Sequence, residues 1–213
     1  DYNINKWISL GVNSSYALTK SDREDGSFSE FITRTPIAQI YNEDGSYSRY
    51  INSNNDVNPF YRAENYKREI STNSYRLNVF LELKPFKGFN YRLNTSFYNR
   101  EQEDGEAKGV NYPGGGATAK LTDREDRSYL IENIFTYNVP IKDQKHKLTI
   151  TAVQSVDHKQ TKQLGYATDQ LPVDMDWNFI ANGQFTGSPI RSFTENNLVS
   201  FMGRASYILM DRY

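Results

Sequence analysis

The feature that most constrains this chain is an alternation of apolar and polar residues with a period of two. In residues 7–19, Ile8, Leu10 and Val12 alternate with small or polar residues, and the split continues to the end of the segment. Successive side chains of a β-strand point to opposite faces, so this pattern predicts a strand with one apolar and one polar face. The same pattern predicts about six strands in all, at residues 7–19, 72–84, 89–101, 127–139, 146–158 and 196–209.

The segments between these strands alternate between short and long. Residues 85–88 and 140–145 are short enough for tight turns, whereas residues 20–71, 102–126 and 159–195 form long connections. Most connections in compact domains have about 4–6 residues. Bacterial outer-membrane barrels combine short periplasmic turns with long external loops, on strands that alternate apolar-out and polar-in. The sequence therefore predicts an all-β fold: an antiparallel transmembrane β-barrel segment of about six strands, with short periplasmic turns and long extracellular loops.

Aromatic residues near both ends of the apolar faces favour the same interpretation, because such side chains are typical of the two lipid–water interfaces. The opposite faces carry charges such as Arg76, Glu82 and Arg92, which a hydrated interior tolerates and an apolar core does not. A soluble antiparallel sheet with one solvated face alternates equally well, so that alternative stays open. The aromatic residues are Trp7, Phe89, Tyr91, Tyr137 and Tyr207 on the short-turn side and Tyr16, Tyr75, Phe97 and Tyr129 on the long-loop side.

The composition excludes several classes of protein. The longest unbroken apolar run, residues 207–210, is far shorter than the roughly 20 residues of a membrane-spanning helix. A formal net charge of -1 lacks the basic footprint of a nucleic-acid-binding protein. The absence of Cys excludes disulfides and thiolate zinc sites. Aromatic residues at 14% argue against a disordered chain.

No combination of residues indicates catalysis or a bound cofactor. His146 and His158 are the only imidazoles, and neither lies in a motif that pairs it with a nucleophile. Asp169, Asp174 and Asp176 could offer oxygen ligands to calcium, but their spacing lacks the pattern of a known calcium loop. We therefore predict no catalytic residue, no metal ligand and no cofactor.

Aromatic residues within the long loops are the strongest candidates for ligand binding. Such rings stack on the apolar faces of sugars or fill pockets for peptide side chains, although rings also anchor loops on one another. The candidates are Tyr112, Tyr166, Trp177 and Phe179, which the pattern places among polar residues outside the strands.

Two motifs resemble a known family of transporters. Residues 197–213, Asn-Leu-Val-Ser-Phe-Met-Gly-Arg-Ala-Ser-Tyr-Ile-Leu-Met-Asp-Arg-Tyr, resemble the barrel segment of SusC/RagA-like TonB-dependent transporters. In that family a Ser-x-x-Gly-Arg-x-x-Tyr strand runs into a turn with Asp-Arg/Lys-Tyr. Residues 41–45, Tyr-Asn-Glu-Asp-Gly, are similar to part of the family's first long barrel loop. Residues 58–59, 71–73 and 87–89 follow in the family's order.

The resemblance implies a 22-stranded, plugged transporter in the outer membrane of a Gram-negative bacterium. In this family energy arrives through TonB by way of the plug region, and a SusD-like lipoprotein hands over an oligosaccharide or a peptide. The implied partners are therefore this lipoprotein, TonB, outer-membrane lipid and the substrate, with no nucleic acid. Residues 1–213 show neither a plug domain nor a TonB box, and Asp1 replaces an initial Met, so we expect a partial barrel domain from a larger chain.

The principal hypothesis is a wall segment of an active nutrient importer that is not an enzyme. The alternative is a soluble β-sandwich or an adhesin-like binding module with long recognition loops. An enzyme on a β-scaffold is the third possibility, because the chain contains 26 Asp and Glu residues.

Overall fold

A single antiparallel sheet forms most of the fold in the computed structural model. The structure describes residues 2–25, 30, 38–52, 55–143 and 145–210. Strands follow one another in chain order across the sheet, except that β8 pairs with β6 beside the two-residue β7. The strands are β1 (Tyr2–Asn5), β2 (Ile8–Asp22), β3 (Tyr66–Leu83), β4 (Phe89–Lys108), β5 (Thr118–Val139), β6 (His146–Asp169), β7 (Gln184–Phe185) and β8 (Ile190–Leu209).

Among the described residues, two short helices lie in the long connections. Helix α1 (Pro59–Glu64) precedes β3, and a 3-10 helix (Trp177–Asn182) lies between β6 and β7. Asn58 caps α1 by accepting a hydrogen bond from the Phe60 amide, and Pro59 occupies the first turn, where its missing N–H costs nothing. Neither of these two helices is long or apolar enough to cross a membrane.

The register of the strands gives the sheet two distinct faces. Leu10 pairs with Leu81, and Leu81 pairs with Leu93, so these three residues share a face that we call the apolar face. Asn13 pairs with Asn78, which pairs with Ser96, on the opposite face, which we call the polar face. Directly paired residues of antiparallel strands project to the same side, so the alternation in the sequence becomes an alternation across the whole sheet.

The six long strands lie where the alternation predicts them, but all six extend further on the long-loop side. Strand β5 begins at Thr118 instead of 127, and β6 ends at Asp169 instead of 158. In β4 the extension begins with residues that are polar on both faces, Gln102–Asp104, so the alternation is lost there while the backbone ladder continues. The remaining observed boundaries on that side are Asp22, Tyr66, Lys108 and Ile190, and the short strands β1 and β7 were not predicted.

Buried apolar residues are few and lie outside the alternating part of the sheet. Ala117, Ala119 and Leu171 form a small cluster against which Met175 and Ile180 pack. On the alternating part, by contrast, Val12 is 59% exposed and Phe201 is 79% exposed. The sheet therefore does not bury its apolar face against any other described part of the chain.

Trp177 anchors the connection between β6 and β7 to the apolar-face side of the sheet. Its ring lies directly on Gly105 of β4, where an added Cβ would come within 2.2 Å of the indole. The Lys67 ammonium lies 5.0 Å from the indole centroid and 3.3 Å from the Asp176 carboxylate. Asp176 in turn accepts a hydrogen bond from the Asn178 amide at the start of the 3-10 helix. Position 105 therefore needs glycine, because any larger residue would collide with the Trp177 ring.

We predict that Gly105→Ala displaces the Trp177 ring, because the methyl group and the indole cannot occupy the same space. The overpacking should cost roughly 1–3 kcal/mol of local stability. The measurement is Trp177 fluorescence in a Trp7→Phe background, where we expect a red shift of the emission maximum. The control is Gly203→Ala, whose Cβ would meet nothing within 4 Å; an unshifted spectrum for Gly105→Ala would contradict the packing.

Candidate functional site

An aromatic belt crosses the apolar face near the long-loop ends of the strands. Tyr16 pairs directly with Tyr75, and the Tyr75 and Phe97 ring centroids are 6.3 Å apart. Tyr129 pairs with Phe97 and stacks on the His158 ring at 4.6 Å. We call these residues the long-loop belt. Rings of this kind favour a boundary between an apolar layer and water.

A second belt lies near the short turns. Tyr91 and Phe135 have ring centroids 4.9 Å apart, and Phe86 packs against Phe89 at 5.0 Å and Tyr137 at 6.3 Å. We call these residues the short-turn belt. Along β5, Tyr129 and Tyr137 are eight residues apart, or about 27 Å of extended strand. The spacing suits tilted strands that cross an apolar layer about 25 Å thick.

Charged and amide side chains of the polar face bond to one another between the two belts. Asn90 donates a 2.8 Å hydrogen bond to Glu82, and Arg92 donates one of 2.8 Å to Asn94. Asn94 donates in turn to Glu132 at 3.4 Å. Each charged member of this network therefore has a hydrogen-bond partner, whereas the buried side-chain oxygen of Asn90 has none among the described residues.

Each face also carries some residues of the opposite polarity, which the alternation does not predict. Ile134, Val153 and Met202 form a row of paired residues on the polar face. On the apolar face, the Tyr91 hydroxyl donates to Asn133 at 2.6 Å, and Asn133 donates to Gln154 at 2.5 Å. These hydrogen bonds lower the cost of placing two amides in an apolar layer.

On the polar-face side, an ion-pair cluster joins the β2–β3 connection to the β4–β5 connection. Arg62 of α1 lies 2.6 Å from the Glu30 carboxylate and 3.2 Å from the Asp25 carboxylate. The Tyr112 hydroxyl donates to the same Asp25 carboxylate. Burial, together with the charge of Asp25, raises the pKa of Tyr112 to about 12, so the phenol remains a donor at neutral pH. We call these four residues the Arg62 cluster.

On the polar face, a bidentate ion pair joins β3 and β4 near their long-loop ends. Arg68 donates two hydrogen bonds to Asp104, of 2.9 and 2.8 Å. These bonds hold the pKa of Asp104 below its ordinary value. A planar guanidinium that meets a carboxylate through two parallel bonds is a strong form of ion pair.

The four predicted ligand-binding residues do not converge on one site. Tyr112 lies on the polar-face side, where its ring is 6.3 Å from Tyr66, whereas Trp177 covers Gly105 on the other side. Trp177 is only 5% exposed, because its ring packs on Gly105, and ligand contact there stays a prediction. Tyr166 is also not a loop residue, because it belongs to β6, where its ring lies 6.3 Å from Phe185. Phe179 is 53% exposed on the 3-10 helix, and ligand contact there stays a prediction.

Two of the three acidic residues considered for calcium have other partners. Asp174 accepts a 2.6 Å hydrogen bond from the Val110 amide, and Asp176 bonds Lys67 and the 3-10 helix. In the part of the chain that the structure describes, no group of three or more His, Asp and Glu residues is arranged to hold a metal ion.

The sequence analysis missed a stack of three aromatic rings in the β2–β3 connection. Tyr41 stacks on Tyr47 with ring centroids 5.2 Å apart, and Tyr47 stacks on Phe60 at 5.5 Å. The signal that could have revealed the first pair is the turn at residues 42–46, which has a Tyr on each side. Phe60 joins them only through the tertiary fold.

We predict that Asp104→Asn lowers the local stability of β3 and β4 near their long-loop ends at neutral pH but not in acid. Because the folded protein lowers the pKa of Asp104, its contribution is present above the ordinary Asp pKa of about 3.9 and is lost as pH falls through the lower value in the folded protein. We expect a loss of about 1 kcal/mol at pH 7, or about fivefold faster amide hydrogen exchange in these strand ends.

The control for this prediction is Glu69→Gln, which removes the more exposed ion pair with Lys20 and should change exchange little. Once the pH falls below the lowered pKa of Asp104 in the folded protein, the wild type and Asp104→Asn should exchange at similar rates, after correction for intrinsic chemistry. A difference that persists unchanged in acid would show that the pair does not stabilise these strand ends.

Comparison with known proteins identifies the fold. No protein-family model matches the chain, and no curated protein matches its sequence. A solved structure of the RagAB peptide transporter is similar over 98% of this chain, with a TM-score of 0.79 and 16% identity. Structures of the RagAB peptide importer in the "closed-closed" and "open-open" states are similar over 97% and 99% of it, with TM-scores of 0.76 and 0.77 and identities of 18% and 17%.

The chain spans about a quarter of each of these structures, since it covers 25% of the matched chain in all three. At this level of identity the likeness shows the fold. The prediction of an all-β, antiparallel, barrel-type fold is confirmed, and the described strands form an open sheet of eight.

Proposed function

We propose that these residues form part of the wall of an outer-membrane active importer that takes up peptides or oligosaccharides. The observation that carries the proposal is the two-faced sheet. Its apolar face is bounded by two aromatic belts, and its polar face carries charged and amide groups that bond to one another. The similarity to the RagAB peptide transporter over 98% of the chain supports the same proposal.

Lipid is the environment that best explains the exposed apolar face. Val199 and Phe201 are 56% and 79% exposed on β8, and Val12 and Tyr16 are 59% and 67% exposed on β2. Each of these two strands also has one edge with few strand partners among the described residues. On one side β2 pairs only with the short β1, and β8 pairs only with β6. Unpaired backbone groups are prohibitively costly within lipid, so we infer that further strands complete the sheet in a larger barrel.

The proposed mechanism involves no catalysis. The polar face would line the interior, and the loops above the long-loop belt would frame the external mouth. A SusD-like lipoprotein would deliver the substrate, and TonB, acting through a plug region, would supply energy from across a Gram-negative outer membrane. The transporters among the solved structures agree with a function that is not enzymatic.

The soluble β-sandwich or adhesin-like alternative gains no support from the fold. A sandwich buries the facing sides of two sheets against each other. All eight described strands belong to one sheet, and the apolar residues of its alternating part remain largely exposed.

We predict that neighbouring residues of β4 face different environments in the membrane-inserted full-length protein. Thr95 lies on the apolar face opposite Ile131, and Ser96 lies on the polar face opposite Leu130. Residues 1–213 contain no Cys, so Thr95→Cys and Ser96→Cys each introduce one thiol into this segment. A bimane label at residue 95 should be strongly quenched by brominated lipids, whereas one at residue 96 should be quenched several-fold less.

The two labels are each other's control, because they differ by one position in the same strand. Equal quenching of both labels, or no quenching of either, would contradict the wall proposal. Extraction of the full-length protein into buffer without detergent would contradict it as well.

Import itself is tested in cells that produce the full-length protein. We expect uptake of a fluorescent peptide or oligosaccharide to fall to background when the gene is deleted, when TonB is removed or when a protonophore collapses the energy supply. Uptake that survives loss of TonB would contradict active import while leaving the placement in the membrane intact.

A further inference from the structure

The stack of Tyr41, Tyr47 and Phe60 is held by two small hairpin-like turns. Tyr41 and Tyr47 form an isolated antiparallel bridge, and Tyr50 forms another with Val57. The interplanar angles are 26° for Tyr41 and Tyr47 and 14° for Tyr47 and Phe60, so the three rings lie nearly parallel. This arrangement presents π faces in a regular row.

Asn58 fixes the segment that carries the stack. The residue is fully buried, and its side-chain amide donates to the Ile40 carbonyl at 2.9 Å and to the Ser48 carbonyl at 2.7 Å. Its side-chain oxygen accepts from the Phe60 amide at 3.1 Å. Three backbone positions around the rings are thus held by one side chain, and a ligand would not need to order them on binding.

Tyr41 is the most exposed ring of the stack, ahead of Phe60, which is 40% exposed. Tyr41 is 57% exposed, whereas Tyr47 is half-buried between its two neighbours. An exposed aromatic ring held in place by the backbone offers contact area at little cost in conformational entropy.

Two acidic residues follow this ring in the turn. Glu43 and Asp44 lie in the turn between Tyr41 and Tyr47, and Ser46 hydrogen bonds lower the pKa of Asp44, so this carboxylate stays ionised. The Tyr41 phenol, burial and the charge of Glu64 together raise the pKa of Tyr47. The nearest basic residue in the turn sequence, Arg49, lies over Tyr50 at 5.5 Å. The negative faces of the rings and the nearby carboxylates attract a cation from solution.

We propose that the Tyr41–Tyr47–Phe60 stack binds an arginine side chain of a peptide. The planar guanidinium stacks on aromatic faces and pairs with carboxylates, a combination that suits Tyr41 beside Glu43 and Asp44. A neutral oligosaccharide can use the ring but not the carboxylate charge. The inference rests on the proposed import function and narrows its substrate class to peptides that carry a basic residue.

The test measures peptide binding to the purified full-length protein in detergent by fluorescence anisotropy. The probe is a labelled Ala-Ala-Arg-Ala-Ala amide, and its neutral counterpart carries citrulline in place of arginine. We expect Tyr41→Ala to weaken binding of the arginine peptide by about three- to thirtyfold and Tyr41→Phe to preserve it. The matched control is Tyr50→Ala, which removes an exposed Tyr outside the stack and should leave binding unchanged.

Several results would overturn the proposal. They are no measurable binding of the arginine peptide, equal binding of the citrulline peptide, an unchanged affinity for Tyr41→Ala, or an equal loss for Tyr50→Ala. Binding of cellohexaose that competes with the peptide and depends on Tyr41 would assign the stack to sugars instead. None of these results bears on lipid quenching at residues 95 and 96, so failure of the arginine site is distinguishable from failure of the import proposal.

Discussion

Pairing of backbone groups between neighbouring strands is the constraint on which the rest of the structure depends. The buried apolar residues among those described are few and peripheral, so the sheet is not held by a central core. Continuous hydrogen-bonded ladders instead connect β2 through β6 and β8. The β4–β5, β5–β6 and β6–β8 ladders each contain 20 or more residue pairs. A sheet built in this way can present one face to an apolar medium and the other to water, because its backbone groups are already satisfied between strands.

The sequence predicts the alternating part of the sheet well, because each face there meets one environment. The alternation stops at residues such as Glu101 and Glu103, where both faces are polar, and the strand then continues without a periodic signal. Arg68 and Asp104 illustrate the reason. Near the long-loop ends, this ion pair joins two strands through residues that are far apart in the sequence, so no local pattern reveals it. The number of long strands was therefore predictable, and their length was not.

The candidate binding residues show the same division. The burial of Trp177 could not be predicted from the sequence, because its partner, Gly105, lies in a distant strand and becomes its neighbour only after folding. Tyr41 and Tyr47 were within reach of sequence reasoning, since a turn of polar residues separates them, but Phe60 was not. Burial separates a loop aromatic that packs, such as Trp177, from one that remains exposed, such as Tyr41.

The extension of the strands beyond the long-loop belt has a mechanical consequence. From His158 to Asp169, β6 continues for about 36 Å of extended backbone, and its neighbours continue with it. In the proposed orientation, bilayer thickness fixes the depth of the belts, whereas hydrogen-bonded strand length fixes the height of the loops. The Arg62 cluster and the Trp177 contact secure loops on opposite sides of this extension. Fluctuations in the lipid would then move the external loops as one body with the sheet and leave the distances among them unchanged.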